Sequence, residues 1–221
     1  MDEPFFRDRR DAGRQLAAAL TRYAGDPNVI ILGLPRGGVP VAFEVSLALA
    51  SPLDVFVVRK LGVPGHRELA MGAIASGGVR VLNPDVMEVL HISPMVVDAV
   101  AEQEERELER QEREYRSGAP LPNLESKTVI IVDDGLATGS TMRAAVKALR
   151  QHQPARIVVA VPVGSAETCS DLRAEADDVV CLHAPDPFQA VSLWYEEFFQ
   201  TSDHEVQHFL ELARETSARQ R

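Results

Sequence analysis

The chain has 221 residues and a formal net charge of −10, with 33 acidic side chains against 23 basic ones. That balance argues against nucleic acid as the main partner, because backbone phosphates are gripped by clustered Lys and Arg. Hydrophobic residues make up 45% and aromatics 5%, which suits an α/β protein rich in Ala, Val and Leu and excludes a disordered or fibrous chain. The apolar stretches are strand-length, so no membrane span or membrane partner is expected. The opening Met-Asp-Glu-Pro-Phe-Phe-Arg-Asp-Arg-Arg does not read as a signal peptide. Two cysteines, Cys169 and Cys181, make neither a disulfide framework nor a metal-binding spacing. A reduced, cytoplasmic protein is the expectation.

In chain order, Ala12, Leu16, Leu20 and Tyr23 fall on one face of a helix within Arg7 to Tyr23. Strands are predicted at Val29–Leu32, Val55–Val58, Val129–Val132, Ile157–Val161 and Val179–Leu182. Helices are predicted at Val39–Ala50, Met142–Gln151 and Ala166–Glu175, the last capped by Ser165. This alternation predicts an α/β fold, a mainly parallel β-sheet with helices on both faces. A small hairpin, Ala73–Ser76 and Val79–Leu82 about Gly77-Gly78, interrupts it. From Ser93-Pro94 to Tyr115 runs a highly charged helix, with acid–base pairs such as Glu102–Arg106 and Glu109–Arg113 at i,i+4. Its charges read as a solvated face, with a partner-binding helix as the alternative.

The chemistry concentrates where predicted strands end. Residues 129–141 read Val-Ile-Ile-Val-Asp-Asp-Gly-Leu-Ala-Thr-Gly-Ser-Thr. A buried strand here opens onto two carboxylates, Asp133 and Asp134, which can accept hydrogen bonds from sugar hydroxyls. Thr138, Gly139, Ser140 and Thr141 then enter a helix N-terminus, where free N–H groups and the positive dipole end favour a phosphate. The pair asks for a sugar that bears a phosphate. An anionic ligand on an acidic protein needs local positive charge, and two other strand ends offer it. Gly33-Leu-Pro-Arg-Gly-Gly-Val-Pro-Val41 presents Arg36 beside Gly37 and Gly38, which permit unusual backbone angles and close approach to an anion. Val58-Arg-Lys-Leu-Gly-Val-Pro-Gly65 presents Arg59 and Lys60. Ligands of parallel sheets bind beyond the strands' carboxyl ends, where all three segments lie.

The 129–141 segment resembles the phosphoribosyl-pyrophosphate (PRPP) motif of type I phosphoribosyltransferases, departing from it only at Gly135, where that family usually has an aliphatic residue. The resemblance implies that Asp133 and Asp134 hold the ribose hydroxyls, with Mg²⁺ as cofactor carried in by PRPP and available to the same carboxylates. It implies that Ala137, Thr138, Gly139, Ser140 and Thr141 hold the 5′-phosphate. Arg36, Gly37 and Gly38, with Arg59 and Lys60, would hold the pyrophosphate, and Gly62 to Met71 would be a loosely held lid loop. Arg59-Lys-Leu-Gly-Val-Pro64 resembles the Arg-Lys-x-Gly-x-x-Pro segment of adenine phosphoribosyltransferases, with one residue fewer between the glycine and the proline. The implied reaction transfers the 5-phosphoribosyl group from PRPP to a nitrogen acceptor and releases pyrophosphate, with Asp133, Asp134, Arg59 and Lys60 stabilising the transition state. A single domain, 1–221, is expected, with a helical insertion at 84–118 and a C-terminal hood at 183–221, in a homodimer.

Within the hood, Phe188 is the candidate for stacking on an acceptor base, with Trp194 behind it; the aromatics there equally suit packing of the C-terminal helix onto the core. Family members that use 6-oxopurines carry a carboxylate at the position of Ala137, so hypoxanthine and guanine are not expected acceptors. Two other readings stay open. A PRPP-sensing regulatory protein would keep this pocket without turnover. His204-Glu205-Val206-Gln207-His208 spells a zinc-hydrolase signature, although no third ligand follows it at the usual spacing.

Overall fold

Runs of β-branched residues build the centre of the molecule. The computed structural model describes residues 3–219, apart from the side chains of Arg67, Glu68 and Arg219. Strands β1 (Val29–Gly33), β2 (Leu53–Val55), β6 (Thr128–Val132), β7 (Arg156–Val163) and β8 (Asp178–His183) form one parallel sheet in the order β2-β1-β6-β7-β8. Every residue of β1 is buried, as are Val129–Val132 and Ile157–Val163. Such burial follows when helices cover both faces of a parallel sheet.

The period of two along each strand divides the core cleanly. Ile31, Ile130, Val132, Val158 and Ala160 pack beneath helices α1 (Arg9–Ala19), α2 (Gly38–Leu49) and α7 (Asp203–Arg219). Leu32, Val129, Ile131, Ile157 and Val159 pack beneath α5 (Ser140–Gln151) and α6 (Ala166–Leu172). The predicted doubly covered parallel sheet is the fold observed.

The strand expected at Val55–Val58 is broken in the structure. β2 ends at Val55, and β3 (Val58–Val63) opens a second, antiparallel sheet with β4 (His66–Ala75) and β5 (Val79–Leu82). Between them Phe56 N–H still donates to Gly33 of the first sheet, whereas Val57 N–H donates to the Ser76 hydroxyl in the second. A continuous apolar run cannot reveal such a change of sheet, because both halves are buried.

The expected lid loop at Gly62 to Met71 is corrected by the same hairpin. Strands β3 and β4 span it and turn at Pro64-Gly65, with Leu61, Val63 and Met71 buried. Cross-strand pairing makes strands of a segment whose composition suggested a loop.

The insertion holds two helices, α3 (Pro84–Val89) and α4 (Pro94–Arg116). Glu102 and Arg106 pair as expected, while Arg110 pairs with Glu107 and Glu114. The helix is nevertheless more than a solvated rod. Val97, Ala101, Leu108 and Tyr115 bury one face against the second sheet and α7. At its end Arg116 is only 2% exposed, bonded to Asp54 at 2.9 Å, Glu112 at 2.6 Å and the Val55 carbonyl at 2.6 Å. This guanidinium fastens α4 to the place where the chain changes sheets. Arg116→Ala would remove the cation from Asp54 and Glu112 and a donor from the Val55 carbonyl, at a cost of about 3–5 kcal/mol. A clear fall in the thermal midpoint is expected; a midpoint within a degree or so of wild type would show that the arginine does not hold the insertion.

Candidate functional site

The site follows from strand register. Gly33 at the end of β1 lies opposite Val132 at the end of β6, so the two following loops leave the sheet side by side. Leu34 N–H extends the ladder by donating to the Val132 carbonyl at 2.9 Å. A Cβ on Gly37 would sit 2.0 Å from Asp134 Oδ2, and one on Gly38 would sit 2.6 Å from the Val132 carbonyl oxygen. The backbone at Gly37 is ordinary, with φ −64°. The glycine pair is therefore required by close approach to the two aspartates and not by unusual angles, a correction to the sequence-based reading.

Asp134 is tightly held. Its Oδ2 accepts from Arg9 Nε at 2.8 Å, and its carbonyl accepts from the Tyr195 hydroxyl at 2.6 Å. Arg9 lies over the Phe198 ring at 3.8 Å and donates from Nη1 to the Phe199 carbonyl at 2.6 Å. The first helix and the C-terminal region thus meet on one motif carboxylate. Arg9 and Tyr195 escaped the sequence reading because no motif surrounds them and their partner is distant in the chain.

Asp133 accepts from Asp134 N–H at 2.9 Å. Loss of solvent pushes its carboxyl well above the usual range, and the neighbouring Asp134 charge adds to the effect. Burial also raises Asp134, with Arg9 opposing the shift. Two carboxylates share an environment that already resists their negative charge.

The following loop forms a cradle. Gly139, at φ +67°, precedes α5, whose N-terminus has no side-chain cap, leaving N–H groups available there. Residues 135–142, with Asp133 and Val191, line a recess of about 160 Å³. Thr168 Oγ1 holds the Ala137 carbonyl at 2.8 Å and so braces the loop on α6. A Cβ on Gly135 would meet Val191 Cγ1 at 2.6 Å. The departure from the family pattern at Gly135 therefore has a steric partner, since a hood valine occupies the space of the usual aliphatic side chain.

A second, polar cavity of about 340 Å³ opens beside Arg36 and Arg59, walled by Tyr115 and Asp203. Arg59 Nε bonds Glu104 at 2.6 Å, and Arg36 lies 3.8 Å from Asp203, which also accepts from the Tyr115 hydroxyl. Lys60 follows Arg59 along β3, is exposed, and does not line this cavity. Successive strand side chains point to opposite faces, so the basic pair is split here.

Trp194 is 5% exposed and stacks on Phe5 at 4.8 Å, which in turn stacks on His183 at 4.0 Å. It belongs to the small aromatic core that ties the N-terminal segment to the hood, and its ring is not free for a ligand. Phe188 is half-buried against the same cluster. His204, Glu205 and His208 are exposed on α7. Glu205 accepts from both the backbone N–H and the hydroxyl of Ser202, while Ser202 Oγ accepts from Glu205 N–H, a capping box. Among the described residues no cluster of three His, Cys, Asp or Glu could hold a metal ion. Nor, among them, is any helix long and apolar enough to cross a membrane.

The raised Asp133 carboxyl makes a signed prediction. In the unfolded chain it ionises near its ordinary value of about 3.9, whereas the folded chain retains the proton to higher pH. Wild-type stability therefore falls as pH rises through that window and stays lowered above it. Asn at this position cannot ionise and keeps an oxygen for Asp134 N–H. Without ligand, Asp133→Asn should melt above wild type at neutral pH, with the gap closing toward about pH 4. Equal midpoints at neutral pH would refute the buried-charge assignment.

A family model described as the phosphoribosyl transferase domain matches residues 7–197. Proteins from two strains of Mycobacterium tuberculosis, provisionally named phosphoribosyl transferases, are 50% identical over 208 residues. The match covers 94% of this chain and 47% of theirs, so the chain spans about half the length of these relatives. A crystal structure of TT1426 from Thermus thermophilus superposes with a TM-score of 0.83 at 41% identity, covering 93% of this chain and 97% of that one. With the motif carboxylates, the glycine-lined cradle and the fold in agreement, the chain belongs to the phosphoribosyltransferase family.

Proposed function

We propose that the chain binds PRPP with Mg²⁺ and transfers its 5-phosphoribosyl group to a nitrogen acceptor, releasing pyrophosphate. The observation that carries this reading is the contact of the Arg36-Gly37-Gly38 loop with Asp133 and Asp134, next to the open N-terminus of α5. The carboxylates lie between the phosphate cradle and the guanidinium-lined cavity, as the ribose of PRPP lies between its 5′-phosphate and its pyrophosphate.

Each group has a task suited to its chemistry. The α5 N-terminus with Thr138, Ser140 and Thr141 binds the 5′-phosphate. Asp133 and Asp134 accept from the ribose hydroxyls and, as anions, favour the positive charge that develops on the ribose as the glycosidic bond breaks. Arg9 and Tyr195 keep Asp134 in position. Arg36 and Arg59 offer bidentate donors to the departing pyrophosphate. The donor set fits Mg²⁺ as well, because carboxylate oxygens suit a hard cation and the two aspartates lack full charge compensation. Bound there, Mg²⁺ supplies charge neutralisation for the ribose and pyrophosphate oxygens. Lys60 joins only if β3 shifts on binding. The zinc-hydrolase reading loses its general base, since Glu205 is engaged as a helix cap.

PRPP with Mg²⁺ should raise the melting temperature, as any ligand does that binds the native state alone. Asp133→Asn with Asp134→Asn should shrink that rise, each lost hydrogen bond to a charged group being worth about 1.5–3 kcal/mol. A rise of undiminished size in the double variant would exclude the ribose role.

Turnover and acceptor are settled together by screening nitrogen heterocycles with PRPP and Mg²⁺ for pyrophosphate release. Adenine is the first compound to test, followed by non-purine amines and heterocycles. Hypoxanthine and guanine should be poor acceptors, because Ala137 stands where an oxopurine enzyme keeps its carboxylate. Efficient turnover of either would overturn that argument, and PRPP binding without turnover of any acceptor would assign a sensor.

A further inference from the structure

The α4 insertion reaches the Arg36–Arg59 cavity with polar side chains that packing does not explain. Arg110 lines this cavity together with Glu107. Its Nε and Nη2 bond the two Glu107 oxygens at 2.9 and 2.7 Å, and its Nη1 bonds Glu114 at 2.6 Å. Three guanidiniums from three separate elements therefore meet at one polar space, from the loop after β1, from β3 and from α4. Each faces a carboxylate of its own chain: Asp203 for Arg36, Glu104 for Arg59, Glu107 for Arg110.

Carboxylate and phosphate present similar oxygen pairs to the guanidinium fork, so an internal acid occupies the donors that a phosphate would use. The Arg110 side chain is 52% exposed, and pairs so exposed contribute little and exchange readily. A doubly charged phosphate would compete well for these donors.

We propose that Arg110 is a third ligand of the pyrophosphate group, and that Glu107 and Glu104 are intramolecular competitors which the pyrophosphate displaces. This rests on the phosphoribosyl-transfer reading and gives the insertion a role in it: α4 closes the cavity with one cation and two exchangeable acids. Sequence reading treated these charges as solvated because i,i+4 pairing accounts for them locally; only the packing of α4 on the second sheet turns Arg110 toward Arg36 and Arg59.

The test titrates the full chain calorimetrically with inorganic pyrophosphate and Mg²⁺, and separately with ribose 5-phosphate as probe of the other half of the site. Arg110→Gln should weaken pyrophosphate about tenfold, the loss of charge-assisted hydrogen bonds, and leave ribose 5-phosphate unchanged. Glu107→Gln should tighten pyrophosphate, and this gain should vanish in the Arg110→Gln background if the two act as one unit. Thermal melts of the variants confirm that each is folded. Unchanged pyrophosphate affinity in Arg110→Gln, with a loss in Arg59→Gln, overturns the role of Arg110 and leaves the wider reading standing. Binding of ribose 5-phosphate without pyrophosphate by the wild type overturns the cavity assignment. Binding of neither, nor of PRPP, overturns the functional reading itself.

Discussion

The contact between the glycine pair and the two aspartates is the constraint on which the rest of the site depends. Strands β1 and β6 end in register, and the loop after β1 lies so close that a methyl group at Gly37 would collide with the Asp134 carboxylate and one at Gly38 with the Val132–Asp133 backbone. Arg36, next to Gly37 in the chain, thereby adjoins this contact and lines the neighbouring polar cavity. In the proposed reaction a looser contact would move a cation away from the departing pyrophosphate, and charge placement of this kind loses effect quickly with distance.

That closeness brings two half-buried carboxylates together, and the molecule compensates them unequally. Arg9, locked over Phe198 and against the Phe199 carbonyl, answers Asp134. Asp133 keeps a raised carboxyl that a bound cation or sugar hydroxyls would relieve. The resulting cost to the ligand-free protein is the usual conflict between stability and function at an active site. It also explains why the two ends of the chain converge here. Phe5, Phe6, Trp194 and Tyr195 form an aromatic clasp that sets Arg9 and the Tyr195 hydroxyl around Asp134.

The second sheet and its insertion have a comparable logic. Phe56 and Val57 hand the chain from one sheet to the other, and the buried Arg116 ties α4 to that junction. Once α4 is fixed there, Glu107 and Arg110 border the cavity that Arg36 and Arg59 open, and Glu104 pairs with Arg59. A segment that local sequence marks as soluble and independent becomes a wall of the site.

The residues alone determine the parallel sheet, because uninterrupted β-branched runs alternating with helical patterns have few other ways to bury themselves. They determine the Val129–Thr141 segment as well, whose chemistry is contiguous in the chain: strand, carboxylates, loop and helix N-terminus follow one another in thirteen residues. Tertiary structure decided everything that depends on partners far apart in sequence. The split of Val55–Val58 between two sheets was hidden by burial on both sides, and the hairpin across Gly62 to Met71 needed β4 to pair with β3. The divergence of Arg59 from Lys60, the capture of Trp194 by Phe5, and the clamp of Arg9 on Asp134 likewise leave no local trace. Local pattern reports which groups a chain possesses and which backbone they favour; which groups then face one another is set by packing and register, and those arise only when the whole chain closes on itself.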